Sequence, residues 1–199
     1  DLVKKVDTTF LLFDNSLAHL ESREVVQLQS LDVNAIVTGC AQLLSSLTVE
    51  QRKDCAVLLL LPAHYFVATT TTMPGVAKEN LIAALKIQAD SILPGIESNL
   101  ALAINPQSAV EGEDHLALWM EESTLTDFFQ AFKAQEIFLA AIKPRYLNGN
   151  SVNANRERTR VFDRDSETET CADIEGDILK SLLHVRKRDL EQEVFRQQW

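Results

Sequence analysis

Residues 56–62 read Ala56-Val57-Leu58-Leu59-Leu60-Leu61-Pro62. Six apolar side chains follow one another without alternation, so neither face of this segment suits water. A run this short and uniform predicts a strand in the middle of a sheet covered on both sides. Pro62 has no N–H for a ladder, so it closes the strand. A covered strand needs neighbouring strands and flanking helices, and the chain offers both.

Upstream, Phe10-Leu11-Leu12-Phe13 is a short apolar strand, and Asp14-Asn15-Ser16 supplies turn residues. Leu17 to Gln29 alternates loosely, so the pair reads as a β-hairpin. Asp32 is placed to cap a helix. Behind it Val33, Ile36, Val37, Cys40, Leu44 and Leu47 recur at helical spacing, which predicts a helix over 33–47 with one buried stripe. Downstream, Tyr65 to Thr72 is β-branched and aromatic, hence a strand. Met73-Pro74-Gly75 breaks the chain. Ala77 to Leu93 has helical periodicity and stops at Pro94-Gly95. Leu100 to Ile104 is a strand, 105–114 an acidic loop, and His115 to Met120 a strand. Ser123 or Thr124 is placed to cap a helix with Leu125, Phe128, Phe129 and Phe132 on one side. Ile137 to Ile142 is a last apolar strand, ended at Pro144. The order ββαββαββαβ predicts an α/β lobe in which helices cover a mixed sheet.

Composition shifts after that. Asn148 to Asn155 is the best linker, and 160–165 with 167–174 read as hairpin strands, with a turn at Glu175-Gly176-Asp177. The domain reading is therefore a first lobe over 1–147 and a remainder over 148–199. The basic stretch Arg186-Lys187-Arg188, followed by an aromatic end at Trp199, also suits a segment just before a membrane. A solvated helix end is the plain alternative. The chain begins at Asp1, which suggests processing or a cut from a longer protein, and no signal peptide is visible.

The chain has 199 residues, 46% of them apolar and 24% charged, an ordinary globular balance. Its net charge of −10 argues against a nucleic-acid partner, which needs clustered Lys and Arg. The acidity is concentrated in the first 147 residues, where 18 acids face 10 bases. Cys40, Cys55 and Cys171 are odd in number and widely spaced, which predicts free thiols.

Catalytic patterns are sparse. The six glycines are too scattered for a phosphate-cradling loop. No G-x-S-x-G elbow is present. His19, His64, His115 and His184 are too far apart in sequence for a zinc motif and read as strand or turn residues. Glu111, Glu113 and Asp114 with His115 could face a cation or a basic partner, against the plainer reading of a solvated loop. The Phe128, Phe129 and Phe132 stripe reads as core, with a partner-binding face as the alternative. No catalytic, cofactor or metal residue emerges.

The layout resembles the cytoplasmic region of the type II secretion system protein L family and its relative PilM of type IV pilus assembly. Phe10 to Leu28 matches the opening hairpin. Val57 to Pro62, then Tyr65 to Thr72 with Met73-Pro74, resembles the family's two strands and closing proline. Ala77 to Ile104 resembles its helix and following strand, and His115 to Met120, Phe128 to Gln135 and Ile137 to Ile142 its last strand–helix–strand. The resemblance covers about residues 10–147 and implies an actin-like, ribonuclease H-like mixed sheet with flanking helices and a truncated second lobe. Arg160 to Ile174 would be that lobe's opening hairpin. It implies a non-enzymatic scaffold on the cytoplasmic face of the bacterial inner membrane. Such a scaffold recruits the assembly ATPase and other platform proteins, forms a homodimer in one variant of the reading, and is anchored by a segment beyond Trp199. Exposed sheet edges and the acids Glu111, Glu113 and Asp114 are its partner-binding candidates. The alternative is a nucleotide-binding ATPase of the PilM type. Actin-like ATPases bind phosphate with an Asp-x-Gly turn after the first strand. The matching turn here, Asp14-Asn15-Ser16, has no glycine, which favours the scaffold.

Overall fold

The computed structural model describes residues 5–104, 114–147, 158–164, 168–175 and 178–186. They divide into two compact units. The first holds residues up to Ala63 and from Ser123, and the second holds 64–122 and most of the described residues after 149.

The first unit is built on a five-stranded sheet. Its strands are β1 (Thr8–Phe13), β2 (Ser16–His19), β3 (Glu24–Gln27), β4 (Ala56–Leu61) and β8 (Phe138–Pro144), in the order β3-β2-β1-β4-β8. β1, β2 and β3 form an antiparallel meander, while β1, β4 and β8 run parallel. β4 is flanked on both sides, as its unbroken apolar run demands, and five of its six residues are buried. Register places Phe10, Leu12, Leu17, Val57 and Leu59 on one face, and all five are buried. Helix α1 (Val33–Leu43) lies along β2 and β3 and brings Ile36, Val37 and Cys40 into the core. Asp32 caps it, accepting the Ala35 N–H at 2.8 Å. That bond and one from the Ser30 hydroxyl favour the ionised carboxyl and hold Asp32 below the usual carboxylate range, the Ser30 bond most strongly. Helix α2 (Val49–Asp54) opens with a capping box between Thr48 and Gln51. Helix α5 (Glu122–Ala134) buries Phe128 and Phe132.

The second unit has a separate antiparallel sheet of β5 (Val67–Thr72), β7 (Asp114–Glu121) and β6 (Leu100–Ile104), with β7 central. Helices α3 (Leu81–Ile87) and α4 (Ala89–Ile92) lie between β5 and β6 in sequence. Met73, Leu81, Leu85, Leu93, Ala117 and Trp119 form the core, with Leu100, Leu102 and Ile104 packed on it. The buried Trp119 indole donates to Thr69 Oγ1 at 2.8 Å, so its polar edge is satisfied. The two turns bounding the helical segment are built alike. In Met73-Pro74-Gly75-Val76 and Leu93-Pro94-Gly95-Ile96 the fourth N–H reaches the first carbonyl at 3.4 Å, and the glycines have φ of +76° and +84°. Proline second and a positive-φ glycine third are the signature of a type II turn. Three further strands, β9 (Arg158–Arg164), β10 (Thr168–Glu175) and β11 (Ile178–Arg186), make a sheet with β10 central.

Several expectations change in detail. The opening hairpin is a three-stranded meander, because the chain turns again before Glu24 with Arg23 at φ +63°. The single expected sheet is two sheets, since β5 pairs with β7 and not with β4. The helix over 77–93 is a 3₁₀ turn followed by α3 and α4, tightened at Gln88, whose N–H is shared by the Ala84 and Leu85 carbonyls. Helix α5 starts at Glu122 directly from β7, so Ser123 and Thr124 lie inside its first turn and not before it. Basic Arg186 closes β11 opposite Thr168, and 187–199 lie outside the described residues.

Candidate functional site

In sheets with parallel strands, ligands are most readily placed just outside the strands' carboxyl ends. In the first unit those ends belong to β1, β4 and β8. They carry Phe13, then Leu61-Pro62-Ala63, then Pro144-Arg145-Tyr146.

The β1–β2 connection is the two-residue turn Asp14-Asn15, with Phe13 opposite Ser16. Asp14 takes φ +48°, a left-handed geometry that aspartate tolerates better than most residues. The turn's polar groups are directed towards β3. The Asn15 carbonyl accepts the Leu28 N–H at 2.7 Å, and Ser16 Oγ accepts the Gln27 side-chain amide at 2.7 Å. The Asp14 side chain is exposed.

The residues at the ends of β4 and β8 are buried. Leu61, Pro62, Ala63, Pro144 and Tyr146 are buried. Arg145, 8% exposed, extends back under β1. Its Nη1 donates to the Leu12 carbonyl at 3.2 Å, and its guanidinium lies 5.0 Å from the centre of the Phe13 ring. A cation on an aromatic face is stabilised by the ring's quadrupole. Proline, alanine, arginine and tyrosine thus occupy the parallel-strand ends. Asp14 is the carboxylate at the first of them, and among the described residues no three His, Cys, Asp or Glu side chains gather as a metal-binding group.

Of the partner-binding candidates, Glu111 and Glu113 lie outside the described residues. Asp114 begins β7, opposite Thr72. Two of the three stripe phenylalanines, Phe128 and Phe132, are fully buried, whereas Phe129 is 41% exposed. His19 stacks on Phe10 at 5.2 Å, lies 2.7 Å from the Ser22 hydroxyl and pairs with Glu21 at 3.2 Å, which ties the β2–β3 turn. His64 stacks on Tyr65 at 4.7 Å. The three cysteines are free; burial pushes the Cys40 thiol far up, which removes its reactivity. Arg145 is the residue that sequence reasoning missed, and the sole hint was its place directly after the last apolar strand. No helix among the described residues is long and apolar enough to cross a membrane.

No family model matches the chain, and no curated protein matches it in sequence. Solved structures do match. A chain of the PilM–PilN type IV pilus biogenesis complex superposes with a TM-score of 0.60 at 14% identity, over 92% of this chain and 62% of its own length. The cytoplasmic domain of EpsL, an inner membrane component of the type II secretion system of Vibrio cholerae, superposes at 0.55 and 13% identity, over 91% of this chain and 71% of its own. A protein from Bacteroides thetaiotaomicron with an actin-like ATPase fold and unknown function reaches 0.46 at 10% identity, over 98% of this chain and 77% of its own. The chain therefore spans a little over three-fifths of the pilus chain and shares its fold and that of the EpsL domain. The mixed sheet with flanking helices expected from the sequence is the architecture found in the first unit.

Proposed function

We propose that this chain is the cytoplasmic part of a bacterial inner-membrane platform for type IV pilus assembly or type II secretion, and that it works as a scaffold that recruits the assembly ATPase. The observation that carries the reading is the shared fold, and the glycine-free first turn and buried residues at the parallel-strand ends accompany it. The fold matches a pilus biogenesis complex and a secretion component. At the ends of β4 and β8 the residues Pro62, Ala63, Pro144, Arg145 and Tyr146 are all buried, which supports a scaffold over a nucleotide site. The first turn has no glycine, so an approaching phosphate meets side chains at Asn15 and Ser16 and not bare backbone.

The second reading is a nucleotide-binding ATPase. It draws on one observation, the carboxylate of Asp14 exposed directly after β1. Thermal unfolding with and without Mg-ATP separates the two. A nucleotide at about 100 times its dissociation constant adds about 2.7 kcal/mol to a protein that binds it. At about 2–4 °C per kcal/mol, that is a rise of roughly 5–10 °C. The scaffold reading expects a shift within the scatter of replicate melts. A rise of the larger size would replace it with the nucleotide reading.

A further inference from the structure

We infer that a cavity within the second unit receives the side chain of an arginine presented by a partner polypeptide. The inference adds a contact chemistry to the scaffold reading, but it stands on the cavity itself and needs no ATPase. The cavity has a volume of about 270 Å³ and is lined by α3, α4, the start of β6, β7 and the first residue of α5. All its lining residues belong to the second unit. Sites for whole small molecules run from about 300 to 1,000 Å³. A nucleotide is therefore too large for it, and one long side chain is the right size.

Two fixed pieces of backbone shape it. Leu93 and Ile96 are the first and fourth residues of the second type II turn, joined by the hydrogen bond between them. The Asn99 carbonyl accepts the Glu122 N–H at 2.9 Å, which ties the start of β6 to the start of α5. The lining is graded. Leu93 and Trp119 are buried, and Ile96 and Leu100 are half-buried. Lys86, Asp90, Ser98, Asn99 and Glu122 are exposed. Carbon therefore lines the depth and polar groups line the margin. The Trp119 indole N–H is already spent on Thr69, so this residue too offers carbon only. An arginine fits that grading, because its aliphatic stem covers apolar surface while its charged head stays at the wet edge.

Charge points to the same occupant. Asp90 and Glu122 set two carboxylates on the cavity against the one ammonium of Lys86. Among the described residues none of the three makes an ion pair, and the side chains of Ser98 and Asn99 make no hydrogen bond. The excess of carboxylate selects a cation. A guanidinium presents five donors in a plane and an ammonium three. With two carboxylates, a hydroxyl and an amide oxygen to accept them, the planar group is the better match. The net charge of −10 draws a basic partner towards the chain from further away.

The test is an NMR titration of the 199-residue chain with arginine capped by acetyl and methylamide groups, which stands for a residue inside a polypeptide. Capped lysine, capped citrulline and free arginine are compared with it; citrulline has the shape of arginine without its charge. One side chain binds weakly, with a dissociation constant of the order of 1–10 mM, so the contact works as part of a larger interface. Capped arginine should shift the amides of Leu93, Ile96, Leu100 and Glu122 and the Trp119 indole saturably. Capped lysine should bind less well, and capped citrulline at least about fivefold less well. The Asp90→Asn/Glu122→Gln variant should weaken capped arginine at least about fivefold, and Lys86→Ala, which removes a competing cation, should strengthen it. These three positions are exposed, so unchanged amide shifts in the first unit should show that the variants fold. No saturable shift by capped arginine, equal binding of citrulline, binding of free arginine alone, or undiminished binding by the double variant would each overturn the proposal. Such a failure would leave the scaffold reading standing, since that reading is tested with the ATPase and this one without it.

Discussion

Gly75 sits at φ +76° with nothing within 4 Å of where a Cβ would lie, whereas Gly39 has ordinary helical geometry and no room. A Cβ on Gly39 would stand 2.8 Å from Leu28 Cδ2 and 3.0 Å from Leu17 Cδ2. The two glycines are needed for different reasons, and substitution separates them. Gly75→Ala should cost about 1–2 kcal/mol from the left-handed backbone alone, and Gly75→Asn clearly less, both read from urea unfolding. Gly39→Ala trades a helix-propensity gain of up to about 1 kcal/mol against crowding. Leu28 is half-buried and can swing aside, but Leu17 is fully buried and cannot. Gly39→Val, which adds two more carbons, should therefore cost about 1–3 kcal/mol and Gly39→Ala much less. Asp32 adds a pH signature. Its folded pKa lies below the ordinary 3.8, so its contribution is present above that value and is lost as pH falls through the folded pKa. The stability gap between the wild type and Asp32→Ala should be full at neutral pH and shrink below pH 3.8. A gap that stays constant into acid would contradict the capping role. This cap was legible in the sequence because it is local: a short acid, three residues before the N–H it receives.

At the scale of elements, legibility follows how local the cause is. β4 can be read because its neighbours on both sides are written into its own six residues. Helix α1 can be read because its stripe and its cap agree. The meander could not be, since residues 20–23 contain neither glycine nor proline, and the turn takes its positive φ of +63° at Arg23. The separation into two sheets was hidden for another reason: which strand β5 pairs with is settled by long-range register. The phenylalanine stripe shows the limit most clearly. Spacing alone puts Phe128, Phe129 and Phe132 on one side, yet Phe128 and Phe132 are fully buried while Phe129 is 41% exposed. Phe132→Ala should thus cost about 3–5 kcal/mol by opening a cavity. Phe129→Ala should cost less than about 1 kcal/mol in the isolated chain. Equal losses, measured by chemical denaturation, would mean that the helix is rotated from the orientation described here.

At the scale of the whole molecule, the candidate site was only partly legible. The Asp14 turn and its missing glycine stand in the sequence. The burial of Arg145 does not, because Arg145 and Leu12 are 133 residues apart and nothing in Lys143-Pro144-Arg145-Tyr146 marks the charge as buried. The excess of acids in residues 1–147 gives the scaffold reading a long-range handle. An acidic surface speeds encounter with a basic partner, and salt weakens the effect. Reversing Glu111, Glu113 and Asp114 to lysine should slow association with such a partner several-fold at low salt, with little change at high salt, as stopped-flow kinetics would record. The most direct test of the scaffold claim is calorimetric titration of this chain with the assembly ATPase of a type IV pilus or type II secretion system. The account predicts saturable binding of one ATPase per chain, weaker at high salt and unchanged when nucleotide is supplied to this chain alone. No heat at about 100 μM in low salt, or binding that appears only once this chain is loaded with ATP, would contradict it.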